Sequence, residues 1–164
     1  MLSLHHQLLR IARYNYWANE KFAEVLSEVP SVWLDAEHKS SFNTLRKTTN
    51  HLFGAEIVWM KRIQGISLVS FPENEYPEPS VFHTSSRLLL EFLEQQPESF
   101  FEENISYSTF AGDTFVTPVC DILQHLFNHG TFHRGQLVTM LRGCGFDGKL
   151  PQTDFITWQR LELK

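Results

Sequence analysis

The chain has 164 residues, 42% of them hydrophobic and 20% charged, with 14 Phe, 4 Trp and 4 Tyr, which predicts one globular domain over residues 1–164 and excludes a disordered chain. The net charge of −5 comes from acidic residues spread along the sequence, so the chain lacks the basic surface that nucleic acid or an anionic membrane would need. No apolar run reaches the ~18 residues of a membrane span and the N-terminus does not resemble a signal peptide, so we expect a soluble, cytoplasmic protein.

Two long helices are predicted in the first part of the chain. An apolar stripe runs through residues 4–26 at alternating spacings of four and three, with Ser3 as a candidate N-cap and Pro30 beyond the end. A second helix is predicted over about residues 43–63, because its large apolar residues share one face and Gly65 follows it.

A long connection and a third helix come next. Residues 64–79 contain three prolines and little periodicity, so the chain has room here to cross a helical bundle. The apolar spacing within residues 80–96 predicts the third helix, which Pro97 closes.

A short hairpin and a fourth helix complete the predicted elements. Residues 104–117 alternate around a central glycine, which predicts a hairpin. Thr117 is predicted to cap the fourth helix with Pro118 as its first residue, and the helix is expected to end at residues 143–145. The tail over residues 146–164 is expected to pack across the bundle. Four amphipathic helices with a long crossover between helices two and three favour an all-α four-helix bundle.

The chain contains eight histidines, and three of them lie in the fourth helix. His125, His129 and His133 are spaced four residues apart, which puts neighbouring side chains on one helical face. Two neighbours can bind one ion, but the outer pair is about 12 Å apart along the axis, too far for metal–nitrogen bonds of about 2 Å. Only one adjacent pair is therefore suited to chelation.

The helical angles favour the second pair. At about 100° per residue, His129 and His133 fall within the apolar stripe, whereas His125 lies on its flank beside Gln136. His125 is thus expected to make a hydrogen bond beside the metal site rather than to bind the ion itself. The alternative is that both inner histidines are core residues with satisfied hydrogen bonds, although burying two imidazoles in an apolar stripe is costly without a shared purpose.

His51 is the candidate third ligand, because it alone among the other histidines lies in the middle of a predicted helix. Ala55 follows one turn later on the same side and leaves room for an ion between helices. The sequence contains neither Glu-x-x-His nor His-Glu-x-x-His, which argues against a di-iron carboxylate bundle and a zincin protease. Four further histidines are expected to be solvated surface residues: His5, His6, His38 and His83.

The cysteines argue against a disulfide framework. Cys120 and Cys144 lie near opposite ends of the fourth helix, about 36 Å apart at about 1.5 Å per residue, so they cannot pair within one chain. We expect reduced thiols, as in a reducing compartment.

Three sequence segments resemble one known family. They are Tyr14-Asn15-Tyr16-Trp17-Ala18-Asn19, Asn50-His51-Leu52 and, most specifically, His125-Leu126-Phe127-Asn128-His129-Gly130-Thr131-Phe132-His133-Arg134-Gly135-Gln136. Together with the glycine-centred hairpin and residues 151–154, they resemble the DinB/YfiT-like damage-inducible family of metal-dependent enzymes.

The resemblance implies a fold and a metal site. Members form a four-helix bundle with up-down-down-up connectivity, usually as a homodimer, and hold a divalent ion with three histidines. By the motifs these ligands correspond to His51, His129 and His133, and the ion is expected to be zinc or nickel, with iron and manganese as alternatives. The family's usual His-His-Arg-Gly-Gln begins with Phe132 here; this side chain points about 100° away from His133, so the change affects a dimer contact or a pocket wall rather than the metal.

A function follows from such a site. Three neutral imidazoles leave a +2 ion with an open position, which is typical of catalysis, and the ion can acidify bound water or deprotonate a thiol. Because characterised relatives include thiol-dependent transferases and isomerases, the resemblance implies an S-transferase that joins a low-molecular-weight thiol to a small-molecule substrate, with a hydrolase second and a role in a stress response. Two alternatives stay open: a non-catalytic protein in which the ion pins the second helix to the fourth, and a metal-free dimer with core histidines.

No residue of the sequence is identified as a general base. Arg134 either pairs with an anionic substrate or bridges to Asp or Glu on a neighbouring helix. Four residues are candidates for the pocket wall, with packing and helix–helix hydrogen bonds as the alternative for each: Tyr14, Asn15, Glu56 and Gln136.

Overall fold

The computed structural model describes residues 3–72 and 77–163, and this part of the chain is mostly helical. The elements in chain order are α1 (Leu4–Glu28), α2 (Ser31–Leu34), α3 (Leu45–Ile63), α4 (Thr84–Glu94), β1 (Asn104–Ser108), β2 (Thr114–Pro118), α5 (Val119–Gly143) and α6 (Phe155–Glu162). The four predicted helices correspond to α1, α3, α4 and α5. Residues 73–76 of the predicted connection over 64–79 lie outside the described residues.

Side-chain caps begin the first two long helices. Ser3 Oγ accepts a hydrogen bond from the backbone N–H of His6, which confirms the predicted cap of α1. Thr44 Oγ1 accepts from the backbone N–H of Lys47 in the same way, so α3 begins at Leu45 rather than at about residue 43.

Helix α4 is shorter than the predicted span of 80–96. The chain first makes a 3-10 turn at Pro79–Val81, because the fixed φ of Pro79 suits the start of a turn. The α-helix then runs only over Thr84–Glu94, and its C-cap, Gln95, comes before Pro97.

The predicted hairpin is present as the antiparallel pair β1 and β2. Gly112 has a φ of 92° in its turn, a left-handed conformation that favours glycine. The prediction that Thr117 caps the fourth helix is wrong, because Thr117 pairs with Ile105 in the sheet. Pro118 takes the N-cap position instead, with φ −60° and ψ 142°, so strand pairing continues up to the last residue before α5.

Two apolar clusters form the core. Helix α1 packs against α4 and α5, and α3 packs against the same two helices. One cluster, near the hairpin, includes Leu93 and Phe101, and the other, toward the opposite end of α1, includes Phe22 and Leu137. Each such side chain contributes about 1.5–3 kcal/mol when fully buried, so the two clusters supply a large favourable term in the free energy of folding.

The C-terminal tail forms the short helix α6, which the sequence pattern did not predict as a helix. Its Trp158 is buried and lies 6.0 Å from the ring of Tyr14 on α1, so the tail packs back on the helices as expected. Both cysteines are free, with Cys120 in the first turn of α5 and Cys144 at its C-cap. Among the described residues, no helix combines the length and apolar character that a membrane span requires.

Candidate metal centre

Three histidines from two helices meet between α3 and α5. Helix α3 contributes His51, and α5 contributes His129 and His133, which are one turn apart. One nitrogen of each ring lies within 4.8 Å of the others, and the described residues form no other group of three metal-ligating side chains. His133 is buried and the other two are half-buried, so the structure brings the predicted ligand set together at a sheltered but reachable point.

The spacing of the nitrogens suits a shared cation. His129 Nε2 lies 2.8 Å from His51 Nε2 and 3.1 Å from His133 Nε2. A neutral imidazole nitrogen either donates one proton or accepts one hydrogen bond, so His129 Nε2 cannot serve both contacts well. Two nitrogens bound at about 2.0–2.1 Å to a tetrahedral ion stand roughly 3.3 Å apart. The donor set therefore fits a divalent transition metal better than it fits a hydrogen-bonded network.

Gln136 holds His133 in the tautomer that a ligand needs. The Nδ1 atom of His133 lies 2.7 Å from Gln136 Oε1, an oxygen that only accepts, so Nδ1 carries the proton and Nε2 keeps its lone pair. Gln136 Nε2 donates to Ser41 Oγ at 3.1 Å, which orients the amide. Gln136 is thus a direct partner of a candidate ligand rather than only a pocket wall.

Burial keeps the cluster uncharged. Burial, with a smaller effect from His133, lowers the pKa of His51 to about 4. Burial and the neighbouring imidazoles lower the pKa of His129 to about 3. The pKa of His133 is also lowered by burial, although its bond to Gln136 opposes the shift. At neutral pH all three rings are therefore in the deprotonated form that binds metal.

Aromatic rings surround the cluster. Phe42 stacks on His51 with 4.1 Å between ring centroids, and Phe71 lies nearly parallel to the same ring at 5.9 Å. His125 is exposed and lies on the flank, as predicted, with its ring 5.9 Å from that of His129. His125 does not belong to the converging donor set.

The expectation of four solvated histidines holds only for His6. His5 packs on a buried aromatic ring at 4.9 Å, and His38 Nε2 lies 3.3 Å from Cys144 Sγ. The Nδ1 atom of His83 is buried without a hydrogen-bond partner among the described residues. The prediction is wrong for His5, His38 and His83, because the helix ends and loop that carry them fold back on the core and leave them half-buried.

A buried carboxylate lies between the two apolar clusters. Glu56 on α3 is only 4% exposed. Burial raises the pKa of Glu56, and hydrogen bonds together with the charge of Arg134 oppose the shift. Its oxygens are occupied by four donors and so are not available to act as a base at the cluster. The donors are Asn15 Nδ2 at 2.7 Å, Asn19 Nδ2 at 3.4 Å, Ser86 Oγ at 2.8 Å and Ser85 Oγ.

Arg134 supplies the opposite charge through the same asparagines. Its Nη1 donates to Asn15 Oδ1 and Asn19 Oδ1, each at 2.8 Å, and the residue is 3% exposed. A carboxylate only accepts and a guanidinium only donates, so a side-chain amide between them can satisfy both. The predicted bridge from Arg134 to an acidic residue on a neighbouring helix is therefore present, but it runs through two amides.

The same network leaves little room for a side chain at position 130, whereas Tyr14, the remaining pocket-wall candidate, contacts the C-terminal tail. A Cβ atom at Gly130 would lie 3.0 Å from Asn15 Oδ1 and 3.1 Å from Arg134 Nη1. The hydroxyl of Tyr14 donates to the carbonyl of Thr153 and holds the tail against α1. The bridge from Arg134 and the helix–helix hydrogen bonds of Asn15 and Glu56 were among the alternatives predicted from the sequence, whereas Asn19, Ser85 and Ser86 were not predicted to join them. Polar residues at core-facing positions of the helices were the signal that could have found these members.

Comparison with known proteins agrees with the motifs. The model of the DinB family matches residues 4–160 of this chain. Protein DinB from Bacillus subtilis (strain 168) is 26% identical over 150 residues, which cover 84% of this chain and 86% of that protein.

Solved structures share the fold. A DinB-like protein from Bacillus subtilis, YjoA, has a TM-score of 0.69 at 16% identity and covers 88% of this chain and 97% of its own. A DinB-like protein from Bacillus cereus ATCC 10987 has a TM-score of 0.66 at 19% identity, with 88% and 93% covered. Since the family model spans nearly the whole chain, this protein belongs to the DinB family.

Proposed function

We propose that this protein is a metal-dependent enzyme in which His51, His129 and His133 bind one divalent cation through their Nε2 atoms. The observation that carries the proposal is the convergence of three neutral imidazoles within 4.8 Å, on two helices. Zinc or nickel is the expected ion, with iron as an alternative, because neutral imidazole donors suit these metals. Manganese is the further alternative that the resemblance to the family implies.

The reaction we propose is transfer of a low-molecular-weight thiol to a small-molecule electrophile. A cation held by three neutral imidazoles keeps its charge and an open position, with which it can lower the pKa of a bound thiol or water. In the transfer the thiol releases its proton to solvent, its sulfur bonds to an electrophilic carbon, and the leaving group departs from that carbon with the electron pair of the broken bond. Hydrolysis is the second candidate, because water can take the place of the thiol. No residue is assigned as a general base.

Two features of this chain support a catalytic rather than a structural ion. The network of Glu56, Asn15, Asn19 and Arg134 joins α1, α3 and α5 without metal, and both apolar clusters also span α3 and α5. The cluster itself is only partly buried, which leaves a small molecule a route to it. Metal removal is therefore expected to abolish activity while leaving the fold intact.

A chelation experiment separates the two roles. If the ion is catalytic, the melting temperature of the chelated protein should stay within a few degrees of that of the loaded protein. If it pins α3 to α5, chelation should lower stability by several kcal/mol, as lost ligation does in structural metal sites.

A screen tests the enzymatic proposal. The metal-loaded protein is assayed against a panel of low-molecular-weight thiols and electrophiles, with His133→Ala as the blank and Gln124→Ala, at an exposed position of the same helix, as the matched control. We expect turnover in the wild type and in Gln124→Ala and none in His133→Ala. Turnover that survives His133→Ala would remove the metal from the mechanism.

The remaining expectations belong to the same proposal. We infer a four-helix bundle with up-down-down-up connectivity, a homodimer, a cytoplasmic location and a role in a stress response. Phe132 is 60% exposed and lines a groove of about 460 Å³ with Gln136, which suits either a dimer contact or a pocket wall. Light scattering on the wild type and on Phe132→Ser distinguishes these, because a dimer contact would dissociate in the variant.

A further inference from the structure

One arginine lies in an aromatic cage near the hairpin and has no acidic partner among the described residues. Arg62 on α3 is 6% exposed, and its Nε–H is buried without an acceptor among the described residues. The guanidinium carbon lies 4.5 Å from the ring centroid of Trp59, 5.1 Å from that of Tyr107 and 5.3 Å from that of Phe110. Within the described part of the chain, the guanidinium makes no ion pair and no hydrogen bond.

This arrangement differs from that of the other buried arginine. Arg134 is buried too, but its guanidinium donates hydrogen bonds to Asn15, Asn19 and Thr131. Aromatic rings attract a guanidinium through their faces but leave its in-plane N–H groups without acceptors. A buried donor without an acceptor is costly, so the geometry of Arg62 is one that an added anion would complete.

Arg62 lies on the same side of α3 as the metal ligand His51. The two residues are 11 positions apart, close to three full turns, so their side chains fall within about 20° of each other around the helix axis, about 16 Å apart along it. Ala55 lies on the same side between them and adds only a methyl group.

Two rows of rings connect Arg62 to the histidine cluster. On one side, Phe71 lies 5.9 Å from His51 and 6.2 Å from Phe110. On the other side, the exposed His125 lies 5.9 Å from His129 and 5.3 Å from Trp59. We call Trp59, Phe71, Phe110 and His125 the aromatic surface. It begins at His51 and His129 and ends at Arg62, which has no hydrogen-bond or ionic partner in the part of the chain that the structure describes.

We propose that Arg62 binds the carboxylate of a small substrate, that the aromatic surface holds an apolar stem of that substrate, and that its reacting atom reaches the histidine cluster. The metal end rests on the proposed function, whereas the Arg62 end rests on the cage alone. A carboxylate is favoured because it is planar, pairs with a guanidinium through two parallel hydrogen bonds, and carries one negative charge to match the one cation of the cage. Phe110, which covers one side of Arg62, is 44% exposed on the hairpin turn, so movement of that ring would open the site.

Matched thiol probes test both ends together. The Co(II)-loaded protein is titrated with 8-mercaptooctanoate and with 8-mercaptooctanol, and thiolate binding is read from the sulfur-to-cobalt absorption band. We expect the carboxylate probe to bind about tenfold tighter than the alcohol, because a charge-assisted hydrogen bond contributes about that much to affinity.

Variants at two neighbouring positions identify the cation. Arg62→Met keeps much of the side-chain bulk and should remove the preference for the carboxylate, and Arg62→Lys should keep part of it. Lys61→Met removes the cation of the adjacent residue, which is not part of the cage, and should leave the preference unchanged. If Arg62→Met does not fold, a preference in Arg62→Lys as strong as in the wild type would overturn the bidentate pairing.

A metal-free titration separates the two proposals. The chelated protein is titrated with octanoate and octanol by calorimetry, and the octanoate preference should again depend on Arg62. If the wild type binds no Co(II), the metal proposal fails. The metal-free titration still tests whether Arg62 binds a carboxylate. Equal binding of the acid and the alcohol in the wild type, or an acid preference that persists in Arg62→Met, would overturn the inference.

Discussion

The bond between Gln136 and His133 gives a graded test of the metal centre. Gln136 Oε1 is the acceptor for His133 Nδ1–H at 2.7 Å, and Ser41 fixes the amide from its other side. In Gln136→Leu the Nδ1 proton loses its acceptor, so His133 is free to rotate and to exchange the proton onto Nε2, the atom that faces the cluster. In Gln136→Glu a carboxylate accepts the same proton more strongly and raises the basicity of Nε2.

The expected change in metal affinity follows from other metal sites, in which a side chain hydrogen-bonds to the non-ligating nitrogen of a ligand histidine. Loss of a hydrogen bond behind a ligand typically weakens metal affinity 10–100-fold, which is about 1.4–2.7 kcal/mol. We therefore expect a loss of that order in Gln136→Leu and an affinity equal to or tighter than that of the wild type in Gln136→Glu. The melting temperature of the metal-free protein should change little, because Gln136 is partly exposed.

Competition against a chromophoric chelator measures these affinities with zinc. Gln124→Leu is the matched control, because Gln124 is an exposed glutamine on the same helix that lies outside the cluster. The control should keep the wild-type affinity. An unchanged affinity in Gln136→Leu, or a weaker one in Gln136→Glu than in Gln136→Leu, would refute the role given to this bond.

Three further predictions concern stability. Glu56→Ala leaves the charge of Arg134 buried without its counterion, so chemical denaturation should show a loss of about 3–5 kcal/mol. Gly130→Ala places a methyl group 3.0 Å from an oxygen of the same network, so its thermal melt should fall below that of the wild type despite the better helix propensity of alanine. The folded-state pKa values of His51 (about 4) and His129 (about 3) lie below the unfolded value of about 6.5, so the chelated protein should lose stability as the pH falls from about 6.5 toward 4.

Each of these predictions has a control on the same chain. Glu91→Ala removes an exposed carboxylate and should cost less than about 1 kcal/mol. A Cβ at Gly135 meets no atom within 4 Å, so Gly135→Ala should be neutral or stabilising. His129→Leu should flatten the dependence of stability on pH between about 6.5 and 4, whereas Gln124→Leu, at an exposed and non-titrating position of the same helix, should leave it unchanged. A wild-type slope in His129→Leu, or equal losses in the two glycine variants, would contradict the structural assignments.

The sequence predicts the helices well because each long one carries a continuous apolar face. The stripe at residues 4–26 and the end of the second helix at residue 63 agree with α1 and α3. The errors fall at boundaries that tertiary contacts decide. Thr117 has the right chemistry for a cap, but its backbone continues the strand, and strand pairing prevails over capping preference.

At the candidate site, too, features within one helix were predicted from the sequence, and the particular hydrogen bonds between helices were not. The i, i+4 spacing and the position within the apolar stripe were enough to predict His129 and His133 as candidate ligands, and the structure places their rings together. A bridge from Arg134 to an acidic residue was one predicted alternative, but its route through Asn15 and Asn19 was not predicted, because the four residues lie on three helices and each one alone reads as an ordinary break in an apolar stripe. The partner of His133 was only a pocket-wall candidate, since the rotamer that brings Gln136 onto Nδ1 is set by Ser41, 95 residues away in the chain.

Metal content tests the central claim most directly. The wild type, His51→Ala and His125→Ala are purified in parallel, loaded with zinc, desalted, and analysed for zinc per chain by elemental mass spectrometry. We expect about one ion per chain in the wild type and in His125→Ala and a large loss in His51→Ala, because only His51 joins α3 to the two ligands of α5. A wild-type chain without bound metal, or a His51→Ala chain that retains a full equivalent, would contradict the three-histidine centre.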